Sequence, residues 1–326
     1  MRLKRTEEKI AEYLRILDEN DKADDAACNE QSDSERLKEK SSKLEQKKQL
    51  YEQVQNQMSQ TGQKEVSLVD PDSRLMRVDS QRLDVCYNIQ TSVDAKKHLI
   101  VDYDVINNST DHHQLVNDAK AAKQTLGVDK LDVLSDKGFY VEKDLKDCEN
   151  EGNTVFMLMP SLYNPAKNVG VPEPEFNTDK FVYDASKDVY VCPGGEELGF
   201  WKRSFRGVNY GRGRVFRTQS CGACQFRAKC TRNKLGRVIF RSEYQDSVDR
   251  LRARLESSDG REKLSLRRML AEHPFGTMKR AFNQGYLFLK GLRKVKGEVG
   301  FTMLAYNMRR AINILGVGLL IALLKV

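Results

Sequence analysis

Apolar residues in the first 64 positions recur at helical spacing. Ile10, Leu14 and Leu17 share one face of a first helix. Leu37, Leu44, Tyr51 and Met58 return every seven residues in a second, the seam of a coiled coil. The polar stretch NDKADDAACNEQSDSE lies between them, so residues 1–64 are expected to form a helical hairpin.

The period then changes. SLVDPDSRLMRV reads as a turn-rich link. Beyond it Tyr87, Ile89 and Thr91 alternate with polar residues, as do Val101, Tyr103 and Val105, around a polar turn at Ala95 to His98. That is the pattern of a β-hairpin. HQLVNDAKAAKQTL has helical period and stops at Gly127. A short strand, Leu131 to Leu134, ends at Asp136 and Gly138, a helix follows with Gly152 as its stop, and TVFMLMP is a strand closed by Pro160. The order β-β-α-β-α-β over 65–160 predicts a mixed α/β sheet. Residues 161–245 are loop-rich, with strand candidates in KFVYDASKDVYVCP, and residues 246–326 turn helical. Leu304, Met308, Ile312 and Leu315 mark one face of the last long helix. The terminal INILGVGLLIALLKV has about 15 apolar-rich residues, short of the roughly 20 that span a bilayer. It reads as a buried terminal helix, and no contact with a membrane is expected.

Charge sharpens the division. Residues 201–326 hold 28 Lys plus Arg against 8 Asp plus Glu, and residues 1–200 hold 27 against 39. A basic half beside an acidic half is the footprint of a protein that binds a polyanion, nucleic acid first among them. The N-terminus MRLKRTEEKIAEYL has no apolar core of the kind a signal peptide needs, so a cytoplasmic location is expected.

Seven cysteines, with no export signal, argue against a disulfide framework. Cys192, Cys221, Cys224 and Cys230 are patterned in VCPGG and SCGACQFRAKC. A Cys-x2-Cys turn aims two thiolates at one ion, with Gly194 and Gly222 suited to such turns. Four thiolates would make a tetrahedral zinc site, and the alternative is a set of reduced, partly buried thiols. Cys28, Cys86 and Cys148 stand alone.

Two carboxylates stand out. Asp136 follows an apolar strand directly. Glu272 is the lone acid of LRRMLAEHPFGTMKRAF, among Arg267, Arg268, Lys279 and Arg280, with His273 able to add charge. On a helix Arg268 and Lys279 fall within about 40° of Glu272, although Pro274 is expected to kink or break it. Carboxylate oxygens suit Mg²⁺ or Mn²⁺, and flanking cations suit a phosphate backbone.

Arg268, Glu272 and Lys279 fit a Tyr-x2-Arg-x3-Glu-x6-Lys signature, with Ser265 at the Tyr position. Together with YNIQTSVDAKKHLIVDYDV, VLSDKGFY, CGACQFRAKC, EHPFGTMKR and AYNMRRAINILG, in that order, the chain resembles the DDE transposases of bacterial insertion sequences. The resemblance implies a ribonuclease H-like fold with a Cys-rich insertion before the Glu helix. It implies Asp136 as the second catalytic acid and Glu272 as the third, a Mg²⁺ or Mn²⁺ cofactor, and Arg268, Lys279 and Arg280 facing DNA. It further implies insertion-sequence ends as the DNA partner, a homo-oligomer in the DNA complex, and a place at the bacterial nucleoid. The family's first acid belongs on a strand ahead of the hairpin. Asp102 and Asp104 are weaker substitutes, and His112 and His113 suit a loop or cap. The expectation is therefore the C-terminal two thirds of a transposase, inactive alone. Its alternative is a remnant that only binds DNA.

Overall fold

The structure, a computed structural model, describes residues 5, 7–12, 14–16, 31–62, 65–78, 81–160, 172–282 and 285–325. The side chains at 31–37, 57, 61, 268, 271, 272 and 281 lie outside that description. Met1–Tyr87 with Lys290–Leu292 form one compact unit, and Asn88–Leu289 with Arg293–Val326 form the other.

In the first unit residues 7–12 and 14–16 are helical, and α1 runs Gln31–Thr61. Lys48 of α1 reaches Glu7 at 3.4 Å. Leu44, Tyr51 and Met58 are half-buried along the seven-residue seam, whereas Leu17, the Leu37 side chain, the interhelical loop and Cys28 lie outside the described residues. The stretch read as a link contains a strand: β1 (Arg74–Arg77) pairs antiparallel with β2 (Leu83–Cys86). Asp70 anchors this end, accepting from the Tyr87 hydroxyl at 2.7 Å and from the Gly291 amide at 3.2 Å.

The second unit follows the predicted β-β-α-β-α-β order. β3 (Asn88–Val93) and β4 (Ile100–Ile106) form the antiparallel hairpin. Its turn is held by the Asp94 carboxylate, which accepts from the Lys97 amide at 2.7 Å, and by His98 at φ 58°. α2 (Leu115–Leu126) ends where Gly127 turns left-handed at φ 64°, a conformation that costs glycine least. β5 (Asp132–Ser135) and β6 (Thr154–Met157) pair in parallel, joined by α3 (Glu142–Asn150). Leu115, Leu145, Cys148, Val155, Met157 and Leu251 form the buried core beneath them.

β7 (Val182–Asp184), β8 (Val189–Val191), β9 (Glu197–Phe205), β10 (Arg212–Arg217) and β11 (Val238–Ser242) make a five-stranded antiparallel sheet, with the short α4 (Arg227–Cys230) before β11. Its own core is Phe181, Tyr190, Leu198, Phe216 and Ile239. Ser242 donates to the buried Glu142, tying this sheet to α3.

The helices close the unit: α5 (Gln245–Glu256), α6 (Ser258–Ala281), α7 (Leu292–Leu315) and α8 (Val317–Leu324). Two expectations are corrected here, the break at Pro274 and the buried terminal helix. α6 runs through Pro274 without breaking. The ring is fully buried, and burial of an apolar side chain, about 1.5–3 kcal/mol, offsets an interior proline penalty of about 3 kcal/mol. α7 buries Val295, Val299, Met303 and Tyr306, while Leu304, Met308, Ile312 and Leu315 are exposed. The helix turned its N-terminal apolar stripe inward, because Asn307 fixes its rotation: its side chain donates to the Ile100 carbonyl and accepts from the Ile100 amide, both at 2.8 Å. Finally, α8 buries nothing, with Leu319, Ile321 and Leu323 about half exposed. Among the described residues no single helix is long and apolar enough to cross a membrane. α7 and α8 pass that test only together, across a 112° bend.

Leu251 is fully buried in the core and Leu235 is exposed. Leu251→Ala is expected to cost about 2–5 kcal/mol in urea unfolding at an unchanged m-value, and Leu235→Ala less than about 0.5 kcal/mol. Equal losses would contradict this placement of the core.

Candidate active site

β5 carries an apolar run straight into Asp136, whose side chain caps a single 3-10 turn, Lys137–Phe139, by accepting from the Lys137 amide at 2.6 Å. The carboxylate is 60% exposed and meets Arg267 of α6 at 3.3 Å. One turn earlier on the same helix, Lys263 takes Asp132 at the start of β5 at 2.8 Å. α6 therefore lies along β5 with its register set at both ends of the strand. Arg268 and Glu272 lie farther along α6, and their side chains fall outside the described residues. The structure thus brings the helix of Glu272 to the strand of Asp136.

Asp94, Asp111, Asp118 and Asp132 line the cavity with Asp136, and Asp111 and Asp118 among them escaped the sequence reading. Asp111 accepts from Asn88 at 2.7 Å and from Gln90 at 2.8 Å. It also packs over Gly138, where a Cβ would stand 2.9 Å from its Oδ2. Asn88 and Gln90 stand at alternate positions of β3 and so meet Asp111 from one face of the strand. Asp118 on α2 is the second. Burial first, then the charges of Asp102, Asp104 and Asp111, push its carboxyl up to about 7.

Asp102 and Asp104, the substitute acids, do not line this cavity. Asp104 pairs with Lys296 at 2.6 Å, and burial raises the Asp102 carboxyl. His113 sits 3.2 Å from Asp144 and His112 3.3 Å from Asn209, contacts to distant segments.

A basic cleft of about 390 Å³ opens between α6 and α7, lined by Arg280, Arg309, Arg310, Asn313 and His273. Lys279 is exposed beside it. Burial, then His98 and Arg310, lower the His273 pKa, and its Nδ1 lies 2.9 Å from the Tyr306 hydroxyl.

Cys192, Cys221, Cys224 and Cys230, none in a disulfide, line one small cavity of about 30 Å³ with Phe176, Phe181 and Phe226. Burial pushes the Cys230 thiol up, Arg237 opposes this, and the other three thiols add to it. The glycines at the left-handed turns are Gly195 (φ 87°) and Gly236 (φ 81°), not Gly194 and Gly222. A Cβ on Gly236 would lie 2.6 Å from that of Cys221. Among the described residues no three His, Cys, Asp or Glu side chains are gathered closely enough to hold a metal ion. The donor chemistry nevertheless fits at both places: oxygen donors at Asp136 for Mg²⁺ or Mn²⁺, and thiols for zinc.

An acid whose folded pKa is raised stabilises the fold below its unfolded pKa, and that contribution is lost as pH rises through the folded value. For Asp118 the window runs from about 4, the ordinary carboxylate value, to about 7. Asp118→Asn is expected to gain stability relative to wild type across that window and to stay level above it, as read by thermal unfolding at stepped pH. Parallel curves would contradict the assignment.

No curated protein and no solved structure matches the chain. Residues 191–312 match the family described as transposase DDE domain. That stretch, less than half of the chain, contains all four patterned cysteines, the whole of α6 and the basic cleft's lining apart from Asn313. DDE transposases act on DNA and generally use a divalent metal, and residues 191–312 of this chain are similar to their DDE domain.

Proposed function

We propose that the chain acts in DNA transposition, with Asp136 and Glu272 as the acids of a ribonuclease H-like site and the basic cleft as the phosphate-backbone contact. The observation that carries the reading is α6 lying along β5, with Arg267 3.3 Å from Asp136. Asp136 and Glu272 would hold the divalent ion, which supplies an activated water and stabilises the leaving oxygen of a phosphodiester. Arg280 and Arg309 take the DNA phosphates, with Arg268 and Lys279 extending that contact along the helix of Glu272. Arg267 balances the charge of Asp136.

A second reading is a DNA-binding protein that does not cut. The cleft of Arg280, Arg309 and Arg310 supports it without calling on any acid. Both readings require duplex affinity that falls steeply between roughly 50 and 200 mM salt. Arg280→Ala with Arg309→Ala is expected to flatten that salt slope by about two. Salt-independent binding overturns both readings. Nicking of supercoiled plasmid in Mn²⁺ separates them. The first expects weak nicking that disappears in Asp136→Asn and in Glu272→Gln, and the second expects none with binding intact.

The four cysteines are proposed to hold a structural zinc, supported by their place around one cavity. Protein purified without chelator is expected to carry about one zinc per chain, with Zn–S near 2.3 Å. Cys221→Ser with Cys224→Ser should remove it. Metal content unchanged by the double substitution would refute the site.

A further inference from the structure

Three residues of α7 grip the turn of the β3–β4 hairpin. Arg310 donates from Nε and Nη2 to the Lys97 carbonyl, at 3.2 and 2.7 Å. Asn307 holds the Ile100 amide and carbonyl. Tyr306, only 1% exposed, donates its hydroxyl to the His98 carbonyl at 2.9 Å. His98 stands left-handed at φ 58° and closes the turn, its amide donating to the Asp94 carbonyl at 2.9 Å.

The same hydroxyl reaches a third element. Nδ1 of His273, on α6, lies 2.9 Å from it. A phenol has one hydrogen and a carbonyl can only accept, so that hydrogen belongs to the His98 bond. The phenol oxygen therefore accepts from His273, and Nδ1 is a ring nitrogen that carries a hydrogen. The His98 ring packs edge-on against the His273 ring, with centroids 5.3 Å apart. Hairpin, α7 and α6 thus meet at one oxygen atom.

The place of this junction on α6 gives it a role. In a helix each amide donates to the carbonyl four residues back, and Pro274 has no hydrogen to give. The Leu270 carbonyl loses its helical donor, so residues 270–274 are the part of α6 least held by its own backbone. Glu272 lies inside that stretch, and His273 follows it directly. The buried Pro274 ring presses the helix down there, but apolar burial has no direction. A hydrogen bond from residue 273 to a fixed oxygen does.

We propose that Tyr306 and His273 are positioning residues for the candidate active site. The pair locks the α6 backbone at the residue after Glu272 and so fixes where that carboxylate is delivered. The hairpin turn, through its grip on α7, is the frame that holds the phenol still. The inference rests on the reading of Glu272 as a metal ligand. Neither Tyr306 nor His273 touches the ion; each acts through the backbone of its ligand. Outer contacts of this kind set metal affinity by about 10- to 100-fold.

The test uses the full chain, with Mn²⁺ as the probe and two readouts. Nitrogen NMR of the His273 ring is expected to show hydrogen on Nδ1 in wild type, and that preference is lost in Tyr306→Phe. Mn²⁺ titration by electron paramagnetic resonance is expected to show affinity about tenfold weaker in Tyr306→Phe and in His273→Leu. The double variant should be no weaker than either single one, because the two side chains act as one bond. His273→Asn, whose amide nitrogen replaces Nδ1 as donor, should stay within about twofold of wild type. Leu251→Ala separates positioning from general loss of stability: it weakens the core and should leave Mn²⁺ affinity unchanged. If Tyr306→Phe does not fold, His273→Leu, at an exposed residue, carries the comparison. Hydrogen on Nε2 alone in wild type overturns the proposal. So does an Mn²⁺ affinity that falls equally in Leu251→Ala. Wild type that binds Mn²⁺ and loses it in Asp136→Asn and Glu272→Gln, but keeps it in Tyr306→Phe and His273→Leu, sinks the positioning role alone. Wild type that binds no Mn²⁺ sinks the metal reading and this proposal with it.

Discussion

The contact between α6 and β5 is the constraint on which the candidate site depends. Lys263 and Arg267, one turn apart, take Asp132 and Asp136 at opposite ends of the strand. Ion pairs as exposed as these contribute only about 0–1 kcal/mol each, so they do not hold the helix down. Burial of Leu270, Pro274 and Met278 does that. The pairs instead choose the register, because sliding the helix by one turn would keep at most one of the two helix-to-strand pairs. With that register set, the position of residue 272 relative to Asp136 follows from helical geometry.

Other parts of the second unit serve the same arrangement by permitting close approach. Gly138 lets Asp111 pack over the turn after Asp136, and Gly300 lets α7 press against Tyr103, where a Cβ would stand 2.3 Å from the hydroxyl oxygen. Asn307 then holds α7 on the edge of β4, which brings Arg309 and Arg310 opposite Arg280. Acidic cavity and basic cleft are thus two sides of one packing solution: α6 presents Arg267 to the strand and Arg280 to α7.

Much of this was legible in the residues. Alternation gave β3 and β4, and turn glycines marked the ends of α2 and α3, because period and punctuation are local properties. β1 was missed because Asp-Pro-Asp-Ser ahead of it outweighed a four-residue strand with little alternation. Which face of α7 turns inward was not legible from the apolar spacing, because the Asn307 bonds to Ile100, between distant segments, hold it. Asp136 was legible from its place at a strand end. Asp111 and Asp118 were not, since each reaches the cavity only through packing between distant segments. The cysteines were legible as a spaced set, and the structure gathers them around one cavity without drawing them into a coordinating group.

The most direct measurement of the central claim is Mn²⁺ titration followed by electron paramagnetic resonance, on wild type, Asp136→Asn and Glu272→Gln. If α6 sets Glu272 against Asp136, wild type binds Mn²⁺ and each single substitution removes that ion. Identical Mn²⁺ occupancy in all three proteins would contradict the account.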